Sequence, residues 1–139
     1  MLIQGAKILS TAKTPEIILN SDGTIRIKGR WMMENSASFS KVLSDWYDEY
    51  IFNLPEITAI DAYLEYFSGL NLVILISLLR KILCVKLIYN EIPVNWHYEE
   101  GDEDILELGE YVASVLGTTF NFIIISDIKC PFNHMKVQV

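Results

Sequence analysis

The sequence predicts an α/β domain in which a mixed sheet, opened by a β-hairpin, carries about three helices packed on it. Two period-two segments, Glu16-Ile17-Ile18-Leu19 and Thr24-Ile25-Arg26-Ile27-Lys28-Gly29, flank Asn20-Ser21-Asp22-Gly23, whose residues tolerate or supply positive φ. After this hairpin the periodicity alternates α, β, α, β, α, β. That order favours parallel strand pairs joined by right-handed crossovers and covered by helices. At 139 residues the chain has the length of one domain, able to bury roughly two thirds of the surface its unfolded form exposes. Residues 1–125 are read as that domain and 126–139, where periodicity is lost, as a C-terminal tail.

Asn35 or Ser36 is placed to cap the first helix, whose apolar residues Phe39, Val42, Leu43, Trp46, Tyr47, Tyr50 and Ile51 recur at three and four. Lys41, Asp45, Asp48 and Glu49 occupy its other face. Pro55 breaks it, and Ile57 to Phe67 reads as a long strand with Ala59, Asp61, Tyr63 and Glu65 on one side. Ser68-Gly69 closes that strand. The run Leu70 to Leu83 predicts a second helix, hydrophobic nearly all round and therefore mostly buried. A short apolar segment, Cys84 to Tyr89, follows, and Val94 to Tyr98 alternates as another strand. Ile105, Leu106, Leu108, Val112, Ala113 and Leu116 then repeat at helical spacing as far as Gly117, a fitting C-terminal cap. Phe120 to Ile125 reads as a final buried strand.

Eighteen acidic against 11 basic residues give a net charge of −7, which repels phosphate backbones and anionic headgroups. Neither nucleic acid nor a membrane surface is expected as a partner. The longest apolar stretch, Leu70 to Leu79, is half the roughly 20 residues needed to cross a bilayer. No basic segment followed by an apolar run opens the chain, and Cys84 and Cys130 do not make a disulfide framework, so a reducing cytoplasm is the expected compartment. Hydrophobic residues make up 51% and charged residues only 21%, which predicts apolar surface left over for contacts.

Catalytic chemistry finds little to stand on. His97 and His134 are the only histidines, and neither lies beside a serine or cysteine in a nucleophile setting. His97 reads as a strand residue facing solvent or a groove. Cys130 and His134 supply two of the four ligands that structural zinc normally needs, with no second pair. The cluster Glu99, Glu100, Asp102, Glu103, Asp104 lacks calcium-loop spacing, and a helix N-terminus favours such residues without any ion. The glycines are scattered singly, so no phosphate-binding loop exists and no cofactor is expected. Ser68 differs in kind: at the start of a helix it either caps the helix or, phosphorylated, meets backbone N–H groups that favour a negative charge.

Taken in order, Thr14-Pro15-Glu16-Ile17, Gly29-Arg30, Glu34-Asn35, Phe39, Asp45-Trp46 and Glu49-Tyr50 are followed by Leu64-Glu65-Tyr66-Phe67 and Val94-Asn95-Trp96. Tyr98-Glu99, Asp102-Glu103-Asp104, Leu106-Glu107 and Gly109-Glu110 complete the pattern. Over about Ile8 to Ile124 the chain resembles the SiaC family of bacterial regulatory phosphoproteins, whose fold is similar to the STAS domains of anti-sigma-factor antagonists. The resemblance implies a STAS-like, non-enzymatic switch protein without catalytic residues. It implies a serine/threonine kinase with a histidine-kinase-like ATPase domain, a PP2C-type phosphatase, and an effector such as a diguanylate cyclase, activated by the unphosphorylated form.

The chain departs from the family at the acceptor. The family follows Leu-Glu-Tyr-Phe with Asn-Thr, the threonine being phosphorylated, where this chain has Ser68-Gly69. Ser68-Gly69-Leu70 also resembles the Ser-Gly-Leu of the antagonists, whose acceptor lies just before that serine. Ser68 falls beside the acceptor in both patterns and coincides with it in neither; as the hydroxyl at the helix start it is the candidate phosphoacceptor. Tyr66, Phe67, Gly69, Leu70, Asn71, Trp96 and Tyr98 are the expected partner-binding residues. Leu70, Leu72 and Val73 stand where small polar residues are expected, which makes this surface or this helix greasier. A homodimer would satisfy such a surface as well as a foreign partner. The alternatives are a divergent binding module that is not phosphorylated, or a small-ligand domain with a pocket near Trp96, Tyr98 and the acidic cluster.

Overall fold

A computed structural model describes residues 3–4, 6–32, 37–52, 57–85 and 92–126. Among these, seven strands lie side by side in chain order: β1 (Ile3–Gln4), β2 (Lys7–Ile8), β3 (Glu16–Leu19), β4 (Thr24–Trp31), β5 (Ala59–Phe67), β6 (Val94–Glu99) and β7 (Asn121–Ile125). Strands β1 to β4 run antiparallel and β4 to β7 parallel. The change of direction follows from the connections. A short loop can only reverse the chain, whereas a parallel neighbour needs a crossover, here supplied by α1 (Ala37–Trp46), α2 (Leu72–Val85) and α3 (Glu103–Leu116). Crossovers that step in one direction with one hand put their helices on one face of the sheet. That is the mixed α/β sheet with an N-terminal hairpin and three helices that the sequence predicts.

The two faces differ accordingly. Ile25, Ile27, Ile60, Ala62, Leu64, Val94 and Trp96 share the covered face and are buried with Phe39, Leu43, Trp46, Leu75, Leu79, Ile82 and Val112 of the helices. The opposite face carries a polar ladder. Lys7 and Arg26 both pair with Glu16 (3.4 and 3.2 Å), Asn95 donates to Asp61 (2.8 Å), and Asn121 donates to Asn95 (3.0 Å). In the hairpin loop the Thr24 amide donates to Asp22 Oδ1 at 2.9 Å, which holds the Asp22 carboxyl below its ordinary value.

Four local expectations change. The first helix gives way after Trp46 to a π-helical turn over Tyr47–Ile51, closed by the Phe52 amide on the Tyr47 carbonyl at 2.9 Å. The wider turn lets the adjacent Trp46 and Tyr47 both enter the core, together with Ile51. Strand β5 is not a simple alternation, because its pairing with β4 slips between Gly29 and Arg30 so that Glu65 is an extra residue. Gly29 takes φ +122° opposite that slip, a value that L side chains rarely adopt. Helix α2 is not buried all round, since Val73, Ser77, Arg80 and Cys84 form an exposed stripe. Finally, β7 is an edge strand with Phe122, Ile123 and Ile124 exposed: it pairs with β6, and no neighbour on its other side exists among the described residues. Asn35, Ser36, Pro55, Cys130, His134 and most of Cys84 to Tyr89 lie outside the described residues, as does the expected tail beyond residue 126.

Candidate functional site

The extra residue in β5 sets up the site. Strict alternation would send Phe67 to the side of Asp61 and Tyr63, but the slip pairs Phe67 with Trp31 and Tyr66 with Arg30. Phe67 then meets Trp31 edge-to-face, ring centroids 5.5 Å apart, while Tyr66 remains 49% exposed. A bulge at a strand end re-aims side chains in this way.

Beyond Phe67 the chain enters a single 3₁₀ turn, Gly69–Asn71, before α2 begins. One carbonyl pins this turn. Trp31 O accepts from the Ser68 amide at 2.8 Å and from the Asn71 side-chain amide at 3.4 Å. Asn71 is wholly buried in that role. It holds the turn to the end of β4 and is not a surface contact, a correction to its expected place at the partner face. Ser68 has the extended backbone of an N-cap (φ −81°, ψ 125°) but makes no side-chain cap hydrogen bond. The capping reading of its hydroxyl therefore fails. Leu70 and Val73, 70% and 75% exposed, project from the first turns after it. Gly69 is exposed, and a Cβ built on it meets nothing within 4 Å.

A hollow opens on each flank of this helix start. One, of about 230 Å³, lies between α1 and α2 against Leu43, Tyr47, Val73, Ile74 and Lys81. Its wall is tied across the helices, the Tyr47 hydroxyl donating to the Lys81 carbonyl at 3.2 Å and the Lys81 ammonium lying 5.4 Å from the Tyr47 ring centre. The other, of about 240 Å³, lies between the end of β5 and α3, with Phe67, Ile105 and Leu108 as apolar wall and Glu65, Asp102 and Asp104 as acidic rim.

The remaining expected residues separate into surface and core. Tyr66, Gly69 and Leu70 gather with Ser68 at the junction, Phe67 turns inward, and Tyr98 is half-buried against the core. Trp96 is 1% exposed, and its indole N–H donates to the Ile105 carbonyl at 2.8 Å. It therefore belongs to the β6–α3 packing and not to a partner face. The reason is Gly109, because a Cβ there would lie 2.5 Å from Trp96 Nε1, so only glycine lets the indole lie on α3. The exposed Val73 and the two hollows were not legible as a surface, because an apolar run gives no sign of which face is left uncovered.

His97 is buried and stacks on Tyr63, ring centroids 3.9 Å apart, with Nδ1 donating to the Ala62 carbonyl at 3.1 Å. Burial holds its imidazole below the ordinary histidine value and pushes the Tyr63 hydroxyl up. Among the described residues no group of three or more His, Cys, Asp or Glu side chains is arranged to hold a metal ion. No described helix is long and apolar enough to cross a membrane.

Among solved structures the chain is similar in fold to SiaC of Pseudomonas aeruginosa. A chain of the complex between the diguanylate cyclase SiaD and its activator SiaC superposes with a TM-score of 0.69 at 21% identity, covering 87% of this chain and 98% of that one. SiaC alone gives a TM-score of 0.67 at 20% identity, covering 87% and 97%, and apo-SiaC gives 0.61 at 21%, covering 85% and 95%. No curated protein matches the chain in sequence. The family model of the SiaC family regulatory phosphoproteins matches residues 8–125, nearly the whole of the described sheet and its three helices, and the chain belongs to that family.

Proposed function

We propose that this chain is a cytoplasmic, non-enzymatic switch protein that binds a diguanylate cyclase and activates it in the unphosphorylated state. Ser68 is the phosphoacceptor, a serine/threonine kinase with a histidine-kinase-like ATPase domain modifies it, and a PP2C-type phosphatase restores it. Residues 1–125 act as the regulatory domain and 126–139 as an accessory tail. The observation that carries the reading is the uncapped Ser68 hydroxyl at a junction whose neighbours Tyr66, Leu70 and Val73 are exposed and apolar. A phosphoserine brings about −1.5 to −2 charges at neutral pH. Placed beside an apolar contact it must be desolvated when the partner docks, which weakens the complex. The family's regulatory character and the activation of SiaD by the structurally similar SiaC support the choice of effector.

The test is a cyclase assay with a kinase arm. Adding the chain to its cyclase raises turnover, and Ser68→Glu removes the rise. Intact mass after kinase treatment increases by about 80 Da, the mass of one phosphoryl group, in wild type and not in Ser68→Ala. Modification elsewhere, or none, overturns the role of Ser68. One observation favours a second reading: Gly69 stands at the family's threonine position, so a binding module held in one state would also fit. Capture of the same partners by wild type, Ser68→Ala and Ser68→Glu would select it.

A further inference from the structure

The hollow beside α3 has a chemistry of its own. Glu65, Asp102 and Asp104 stand around an apolar wall of Phe67, Ile105 and Leu108, and the lining includes no lysine or arginine. Among the described residues the ion pairs are Lys7–Glu16, Arg26–Glu16 and Lys41–Asp45, so no described cation pairs with the rim. Asp102 is occupied in capping α3 through the Ile105 amide at 3.2 Å, and Asp104 stands in the first turn of that helix, where its charge meets the helix dipole; neither Asp104 nor Glu65 is held in an ion pair among the described residues. At about 240 Å³ the hollow is small for a drug-sized ligand, whose pockets start at about 300 Å³, but it suits an inserted side chain. It is continuous through Tyr66 and Gly69 with the exposed Leu70.

We infer that this hollow is a docking site for a basic amphipathic segment of a partner protein, one apolar side chain entering between Phe67, Ile105 and Leu108 while flanking lysine or arginine residues meet Glu65 and Asp104. The inference rests on the proposed function in taking the occupant to be protein. Apolar anchors spaced at i, i+3, i+4 and i+7 with cations between them are the pattern by which a helix fills such a groove. The acidic rim selects the sign of the flanking charges, and charge of the wrong sign is rejected by repulsion.

Two fluorescent helical peptides of equal length test this, one patterned with leucine and lysine and the other with leucine and glutamate, each titrated with the full chain and followed by anisotropy. The leucine–lysine peptide binds and the leucine–glutamate peptide does not. The double variant Glu65→Gln/Asp104→Asn, which spares the Asp102 cap, weakens binding about tenfold, the order expected when two partly exposed charge pairs are lost. The control Asp45→Asn/Asp48→Asn removes the same charge from α1 and the π-helical turn that follows it, and leaves binding unchanged. Equal weakening by both double variants overturns the inference, because attraction to the net charge would then suffice. So does equal binding of the two peptides, or no binding of the lysine peptide to a chain whose thermal melt is native. A cyclase activated by a chain that ignores the lysine peptide sinks this inference and leaves the proposed function standing. Peptide binding without cyclase activation does the reverse.

Discussion

Two parallel strands pass into helices at the same end of the sheet, and they do so in opposite ways. At the β6–α3 junction side chains carry the hand-over. Asp102 caps the helix through the Ile105 amide, the Ile105 carbonyl receives the Trp96 indole, and Gly109 makes room for that ring. At the β5–α2 junction the backbone and one buried amide carry it. Ser68 N–H and Asn71 share the Trp31 carbonyl, while the half-buried Ser68 makes no side-chain cap bond and Leu70 and Val73 are exposed. Where stability is supplied from beneath, the outer side chains are free to be chosen for contact or modification. The first junction is built to hold, and the second leaves its surface open.

The sharpest way to break this contrast is to disturb the packed junction. Gly109→Ala forces its new Cβ into the Trp96 ring. Overpacking of this kind costs about 1–3 kcal/mol, against which the better helix propensity of alanine returns less than about 1 kcal/mol. The expected result in urea denaturation is a lowered midpoint with an unchanged slope. An unchanged midpoint would mean that the indole is not held where it lies. Next in size are the two N-cap residues, compared directly. Asp102→Ala loses a cap bond and costs about 1 kcal/mol, while Ser68→Ala loses none and stays within about 0.5 kcal/mol of wild type. Equal losses at the two sites would erase the distinction between the junctions.

The sequence showed the packed junction more fully than the open one. Asp102 with Glu103 and Asp104, and Gly117 in the left-handed conformation, terminate α3 by local rules that act over one turn, so periodicity and capping residues sufficed to place it. Strand alternation leaves its Trp96 free to be read as surface, because only the spatial approach of Gly109 to the ring, thirteen residues away in sequence, decides its burial. At the open junction Ser68 and Leu70 stand out from the sequence as candidates, but the same local pattern places Asn71 with them as a contact residue. Its partner is the Trp31 carbonyl, forty residues away, and no local pattern signals a bond of that span. The β5 bulge was equally hidden. A one-residue slip changes which neighbours a strand faces without altering its composition. The same limit hid the outward stripe of α2, where hydrophobicity predicted burial and the position of the helix at the surface overruled it.

The smallest expected change in stability tests the open junction most directly. Gly69 shows no positive φ and has open space where a Cβ would stand, so nothing in its surroundings demands glycine. Gly69→Thr should therefore fold with a stability within about 0.5 kcal/mol of wild type, the gain from a less flexible unfolded chain offsetting the stiffness of a β-branched residue in the turn. It also returns a hydroxyl to the position where the family carries its acceptor, one residue beyond Ser68. Kinase treatment followed by peptide mapping then separates two designs of the same surface. If the threonine is modified in Ser68→Ala/Gly69→Thr, the kinase reads the junction and accepts either hydroxyl, and the glycine marks a shifted acceptor. If neither the double variant nor wild type is modified, the junction serves contact alone. A loss of more than about 1 kcal/mol in Gly69→Thr would instead show that this turn is held as tightly as its neighbour, and the contrast between the two ends of the sheet would fall.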